Sequence, residues 1–480
     1  MSGRLSLSDM PSFVQNFFDG VNRAVNPYAA QDREADLAVN VAFPRVGSFT
    51  ARRGYDLTGN DMGSSSITSQ HQFSTAGGTR YHIATHGQKV MYNNAGTWTE
   101  IGTNVLTTNL QNYFEHFTNL AIITNGTDAP QKITNTTTIG AVGGSPPTAR
   151  YVKAFQTRLY MARTTANPSR VFYSALGNAE SWTTSTDYFD VKTDDGEDIT
   201  GLATLSNRLL VFKESSIHRY DTSTLVQANT PYGAISGRTI ANIGNFVAYL
   251  SRKGRGVYLF DGVESKLISR PVQPWIDAMD WTTLFQAVAD ESSYWLFIGS
   301  PSVTIDGVAE TYTNCVLEYR YLDSTWVVHT LAHAANSWTV FTNTSGSKDV
   351  YFGSSSGDVY QWLTDNDDQT TAINMRYRTG LRMMGSPHTV KRFKRLWLYG
   401  GDVAAQGVQV AFRLMGQSNW TVLGILDRSY RMFPFPAGAR GRGLQFQFTS
   451  SGTELPIEIM QYEIDFEPEE QDDTGKLANA

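Results

Sequence analysis

Cysteine is almost absent from this chain. Cys315 is the single one among 480 residues, set in the apolar run Asn314-Cys315-Val316-Leu317. An internal disulfide and a cysteine-based metal site are thereby excluded. The thiol reads as a small buried hydrophobe of a strand, and synthesis in a reducing compartment is expected. Long hydrophobic runs are missing too. No stretch approaches the ~20 apolar residues a membrane helix needs. The opening Met1-Ser2-Gly3-Arg4-Leu5 lacks the continuous apolar centre of a signal peptide, since Asp9, Gln15 and Asn16 interrupt it. A soluble protein without membrane contact is the expectation. Positive charge is in deficit: 39 Lys+Arg stand against 45 Asp+Glu, a net charge of -6. General nucleic-acid binders are usually basic, so broad phosphate affinity is not expected. Long helical periodicity is also nearly absent.

What the chain has in quantity is strand and turn material. Tyr 23, Phe 25 and Trp 10 accompany 41 Gly, with Thr and Asn abundant. Aromatic and β-branched residues suit strands, and Gly with Asn suits turns. One phrase keeps returning: a hydrophobic strand, a turn, a second strand and an aromatic closure. Examples are Phe155-Gln156-Thr157-Arg158-Leu159-Tyr160, Leu205-Ser206-Asn207-Arg208-Leu209-Leu210 and Val257-Tyr258-Leu259-Phe260-Asp261-Gly262. Recurrence about every 40–50 residues is the mark of propellers, solenoids and arrays. The units here are strands, so the expected fold is all-β, a β-propeller of about six to seven blades.

The units run through 61–375. The first holds Thr79 to Ala84 and closes near Trp98, and the second holds Leu120 to Gly126. The third runs from Ala149 to Trp182, the fourth from Ile199 to Tyr220 and the fifth from Val247 to Phe260. The sixth runs from Ala287 to Trp326 and the seventh from Trp338 to Trp362. Residues 1–60 read as a distinct extended leader with a short helix near 30–38. Residues 376–467 alternate over longer strands, as in Lys391 to Tyr399 and Val408 to Arg413, and are expected to form a separate β-sandwich-like domain. The acidic tail 468–480 is expected to be disordered unless a partner holds it.

Chemistry-bearing clusters are few. Asp194-Asp195-Gly196-Glu197-Asp198 could supply an acid/base pair, or form the turn before Ile199-Thr200-Gly201-Leu202; the turn is the simpler reading. Asp365-Asn366-Asp367-Asp368 resembles the start of a calcium loop, but lacks the glycine and the distant Glu of an EF-hand and reads as a solvated turn. His82 and His86 would share a face only on a helix, whereas their surroundings read as strand and turn. The nearest approach to the Asp-box turn of sugar-cleaving propellers, Asn93-Asn94-Ala95-Gly96-Thr97-Trp98, lacks the aspartate. No P-loop or convincing nucleophile elbow is present. No enzyme, cofactor or metal is expected.

Two stretches carry a family resemblance. One runs from Asp194-Asp195-Gly196-Glu197-Asp198-Ile199-Thr200-Gly201-Leu202 into Asn207-Arg208-Leu209-Leu210-Val211-Phe212-Lys213-Glu214-Ser215-Ser216-Ile217. The other is the leader: Phe18-Asp19-Gly20-Val21-Asn22, Ala38-Val39-Asn40-Val41, Gly47, and Arg52-Arg53-Gly54-Tyr55. Together these resemble tail nozzle, or packaged-DNA stabilisation, proteins of short-tailed bacteriophages, over most of 13–465. The resemblance implies a virion tail subunit, made in the host cytoplasm, in a homo-oligomeric ring of six. Such a ring sits below the portal and adaptor, contacts tail needle, fibre or spike proteins, and extends the channel through which double-stranded DNA leaves. It carries over no catalytic residue. A mildly acidic surface suits a wall past which DNA slides without sticking. On this basis Asp194, Asp195, Glu197, Asp198, Asp365, Asp367 and Asp368 are candidates for loops facing the DNA path. The alternatives are a host-glycan-binding tail fibre or spike propeller and, less favoured, a glycan hydrolase; a glycan binder should show an aromatic-lined pocket with convergent polar groups.

Overall fold

The computed structural model describes residues 11–25, 29–136, 138–402 and 406–469. All but the first two residues of the acidic tail lie outside them. Seven antiparallel four-stranded units, the sixth of them part of a larger sheet, follow one another as the blades of a propeller: 67–102, 113–141, 151–190, 201–227, 241–267, 286–329 and 337–362. The innermost strand of each blade packs on that of the next, and Ser337–Thr342 of the seventh packs on Ile67–Ser74 of the first, so the ring closes. The recurring phrase explains each blade. In the fourth, Gly201–Leu205 turns into Arg208–Phe212 through Ser206 and Asn207, both left-handed at φ 46° and 57°. That tight turn matches the twist of the strands it joins. Gln156 and Thr157 repeat it in the third blade at φ 42° and 60°. Central strands such as Gly256–Phe260, the third of its blade, are buried along their whole length. They read as continuous apolar runs because both faces lie between neighbouring blades.

The seventh blade has only three strands from its own segment. The fourth is Tyr55–Leu57, paired antiparallel to Val359–Trp362 with Trp362 opposite Tyr55. The leader is thus no free extension, because its backbone groups are needed to complete distant sheets. Ala35–Val39 lies antiparallel to Ile373–Thr379 and meets Val328 of the sixth blade in parallel. It joins that blade to four further strands in one nine-stranded sheet. This replaces the expected helix near 30–38: strand partners on both sides override the helix preference of Glu34-Ala35-Asp36-Leu37. Among the described residues the one α-helix is Gln273–Ala278, which buries Trp275 and Ile276.

A second sheet, Ser12–Gln15, Ile459–Glu469, Val390–Gly400 and Tyr430–Pro434 with Arg440–Gly441 beside it, covers the outer half of the nine-stranded one. Between them lie Tyr377, Phe446, Phe448, Leu396, Leu398 and Tyr462. Phe49 of the leader stacks on Tyr377 at 4.1 Å. This sandwich is not separate from the propeller. One apolar core runs from Leu250 and Val257 of the fifth blade through Tyr294 and Val327 of the sixth into the sandwich.

Candidate functional site

The two acidic tracts lie in different places and serve different neighbours. In the first, Asp194 is exposed. Asp195 accepts from Nζ of Lys213 at 2.7 Å, and the fully buried Lys213 also reaches the carbonyl of Lys192. Glu197 accepts from the backbone N–H and hydroxyl of Ser215 and pairs with Lys253 of the fifth blade. Asp198 pairs with Arg163 of the third at 2.7 Å. Burial alone would raise the Asp195 and Glu197 carboxyls, but the cations and donors around them hold both below the usual carboxylate range. The tract therefore ties three consecutive blades together, and three of its four carboxylates are already matched by cations.

The second tract wraps the leader. Gly54 N–H donates to the Asp365 carbonyl at 2.7 Å and Tyr55 N–H to the Asp367 carbonyl at 3.0 Å. Gly54 has to be glycine here, since a Cβ would fall 1.7 Å from the Asp367 oxygen. Asp367 caps its own loop through Thr370 N–H. Asp368 is buried and both of its carboxylate oxygens are taken by Arg52, which corrects its assignment to a loop open to passing DNA. It takes both terminal nitrogens of Arg52 at 2.7 Å, in a pair exposed by only 1% and 5%. Burial of this degree demands that every donor be used, and Arg52 uses all of its nitrogens. Nε donates to Asn40 Oδ1 at 3.1 Å, and the terminal nitrogens also reach the carbonyls of Arg53 and Thr330. Asn40, left-handed at φ 54°, donates in turn to Thr330 Oγ1 and the Asn374 carbonyl. One network thus sews leader, sixth blade, the 365–374 linker and sandwich together. Beside it a cleft of about 710 Å³, lined by Asn40, Tyr312, Asp368, Arg376, Gln409 and Ser450, opens between the sixth blade and the sandwich.

The axial opening is crossed by a residue the sequence did not single out. Arg238 sits in the turn Gly237–Thr239 between the fourth and fifth blades. Its guanidinium reaches over to the carbonyls of Thr68 in the first blade, Asn112 before the second and Asn336 before the seventh. Burial lowers it to about 10, so it stays a cation at neutral pH. Gln286 and Gln111 meet at 3.1 Å from the sixth blade and the segment entering the second, and Tyr294 holds the Thr239 carbonyl at 2.8 Å. An arginine in a turn between strands carries no periodic signal, so only the closed ring reveals its role.

Buried Glu318 accepts from Ser293 Oγ at 2.7 Å and faces His329 Nε2 at 2.9 Å. Buried Ser216 Oγ lies 3.1 Å from Nε2 of buried His218. Among the described residues no group of three or more His, Cys, Asp or Glu could hold a metal ion. His82, next to Gln70 at 2.8 Å, is pushed down to about 3 by burial, and is a neutral core residue.

These features define a seven-bladed β-propeller welded to a β-sandwich. No family model and no curated protein sequence matches the chain. Among solved structures it is similar in fold to BamB from Moraxella catarrhalis, at 12% identity and a TM-score of 0.40 over 73% of this chain and 98% of that one. The extracellular domain of the putative hybrid two component system BT3049 from B. thetaiotaomicron is similar at 11% identity and a TM-score of 0.49, over 90% of this chain and 62% of that one. YCF48 bound to D1 peptide is similar at 10% identity and a TM-score of 0.41, over 68% and 97%. These are likenesses of fold alone.

Proposed function

We propose that the chain is a structural subunit of a short-tailed bacteriophage tail, one copy of a nozzle ring that extends the DNA exit channel below portal and adaptor. The observation that carries this reading is what the resembling residues do. Asp195 and Glu197 of the first stretch close on Lys213 and Ser215 of the same stretch. Asn40 and Arg52 of the leader centre the buried network, and Gly54-Tyr55 closes the seventh blade. The residues that carry the resemblance thus hold blades, leader and sandwich as one rigid block, which is what a wall segment requires. The role is architectural rather than catalytic.

Arg238 and its partners cross the propeller axis, so DNA in this reading runs outside each propeller, along a channel enclosed by the ring of copies. Cyclic closure needs one repeated heterologous contact, and six copies is the expected number. With a net charge of -6, duplex DNA passes without tight phosphate contacts, which would release counterions and hold the genome back. The test is electron cryo-microscopy of the purified chain and of particles containing it, together with a gel shift at moderate salt. A closed ring with weak or no DNA retention is expected. One copy per particle, or sub-micromolar duplex binding, would overturn the reading.

A further inference from the structure

One end of the propeller axis carries more positive charge than the chain returns to it. The innermost strands of the second to fifth blades begin there, at Tyr113, Tyr151, Gly201 and Ala241. Three arginines lie beside these starts. The guanidinium of Arg238 stands 5.7 Å from the centre of the Tyr113 ring, and that of Arg150 5.8 Å from the centre of Tyr151. The two rings meet edge to face at 4.8 Å. A Cβ on Gly237 would fall 3.0 Å from Tyr151 and 3.3 Å from Tyr113, so the turn holding Arg238 is pressed onto both. Arg163 follows the strand that returns beside Tyr151, and reaches the Tyr151 hydroxyl at 3.5 Å. Among the described residues Arg163 alone of the three has a carboxylate partner, Asp198 at 2.7 Å. Arg238 donates to carbonyls, and the charged or hydroxyl groups acting on it are Arg150, Tyr113 and Tyr151. Arg150 Nε, the Tyr113 hydroxyl and Thr200 Oγ1 are all closed off without a hydrogen-bond partner. Buried polar groups in folded proteins are nearly always satisfied, and here several are left over in one place.

We infer that this axial mouth binds a small doubly charged oxyanion, inorganic phosphate or the terminal phosphate of a small phosphomonoester, between Arg150 and Arg238. Charge is the first argument. Three guanidiniums against the one carboxylate of Asp198 leave an excess of two positive charges. A phosphate monoester carries about -1.5 to -2 at pH 7, which cancels that excess, whereas a simple carboxylate cancels half. Water satisfies donors but returns no charge. The neighbouring acidic tract offers no substitute, since Asp195 and Glu197 are matched to Lys213 and Lys253, and Asp198 to Arg163. Geometry is the second argument. The planar fork of a guanidinium presents paired N–H groups to phosphate oxygens, and two forks flank the paired tyrosines. Access is the third. Arg150, Arg163 and Arg238 are each partly exposed. Arg238 is walled in by the blades and still keeps accessible surface, as a group lining an axial opening does. The mouth lies on the propeller axis, apart from the outer surface along which DNA runs in the reading above, and the inference does not rest on that reading.

The test is isothermal titration calorimetry of the full chain at constant ionic strength, with inorganic phosphate, glycerol phosphate and, as a monoanion, acetate. One phosphate per chain is expected, bound at least tenfold more tightly than acetate. Arg150→Met is expected to weaken phosphate at least tenfold with unchanged circular dichroism, because Arg150 closes no ion pair in the fold. Arg208→Met, at an exposed arginine of the fourth blade, is expected to leave binding as it is. Phosphate is also expected to raise the melting temperature of the wild type, since a ligand of the folded state alone stabilises it, and to leave that of Arg150→Met unmoved. Tighter binding of glycerol phosphate than of the free ion assigns the site to a phosphomonoester, and the reverse order to inorganic phosphate. Absence of phosphate binding, binding that survives Arg150→Met, or acetate bound as well as phosphate would each overturn the inference. Duplex DNA that displaces phosphate and is itself lost in Arg150→Met would overturn the small-anion assignment.

Discussion

Single residues decide whether the seam holds. Arg52 and Asp368 form a bidentate pair away from water. Removing one partner from a buried pair costs about 3–5 kcal/mol, because the other charge is left without compensation. Asp368→Asn is expected to lose that much in urea unfolding, and the double change Arg52→Met with Asp368→Leu to lose less than the single one. His82 offers a second, pH-dependent test. Its folded pKa, about 3, lies below the ordinary 6.5 because burial disfavours the cation. As pH falls below 6.5 the unfolded chain gains a proton that the folded one refuses, so this one residue contributes a fall in stability of up to about 1.4 kcal/mol per pH unit. The loss begins above the pH at which carboxylates titrate. His82→Gln is expected to lessen the dependence of unfolding free energy between pH 6.5 and 5 by one histidine's share, buried His71 and His218 keeping theirs; an unchanged slope would refute the assignment. Asp195 carries a third prediction. Replacing it with lysine sets a second ammonium against buried Lys213, so the fold is expected to lose several kcal/mol by the same uncompensated-charge argument. Asp194→Lys is expected to leave stability unchanged, which makes it the better substitution for asking whether this loop meets DNA.

At the scale of elements, the closure strand is the vulnerable one. Tyr55–Leu57 has two tasks, capping the edge of the seventh blade and sitting in the loop 364–369. Gly54→Ala places a Cβ inside the Asp367 carbonyl, and is expected to open this blade first, read as local loss of amide-exchange protection at 348–362. Protection equal to wild type there would count against the closure account. The seven blades were legible because each is a local hairpin with its own turn and apolar strand, so Leu209–Phe212 and Val257–Phe260 announce themselves. The leader was not, because Ala35, Leu37 and Tyr55 take their meaning from partners more than 280 residues away, such as Thr379, Arg378 and Trp362. Nor could sequence show that the acidic tracts are spent on internal cations. Asp195 meets Lys213 only once the first hairpin of the fourth blade has folded back, and Asp368 meets Arg52 only when the leader has threaded the seam. The contrast is one of contact range: short-range pairing writes a periodic signal, long-range pairing does not.

For the molecule as a whole, a continuous core implies that the sandwich cannot stand alone. A fragment spanning 370–469 keeps most of its strands but loses Ala35–Val39 beside Ile373–Thr379 and Ser12–Gln15 beside Ile459–Glu469. It also loses Phe18 and Phe49 from its centre. Such a fragment is expected to show no cooperative thermal transition, and fusing 11–60 to it is expected to restore one; a fragment that melts sharply by itself would contradict the continuous core. The same threading sets a timetable for synthesis. Ser12–Gln15 leaves the ribosome more than 400 residues before its partner Ile459–Glu469. Tyr55–Leu57 waits for Val359–Trp362 in the same way. Domains ordinarily fold in order of emergence. Here these leader strands must stay unpaired while six blades form, so a ribosome that stalls before Val359–Trp362 releases a chain whose ring is unlocked, and one that stalls before Ile459–Glu469 releases a chain whose sandwich is open. Synthesis of Ile459–Glu469 itself becomes the checkpoint that separates subunits able to lock from those that are not.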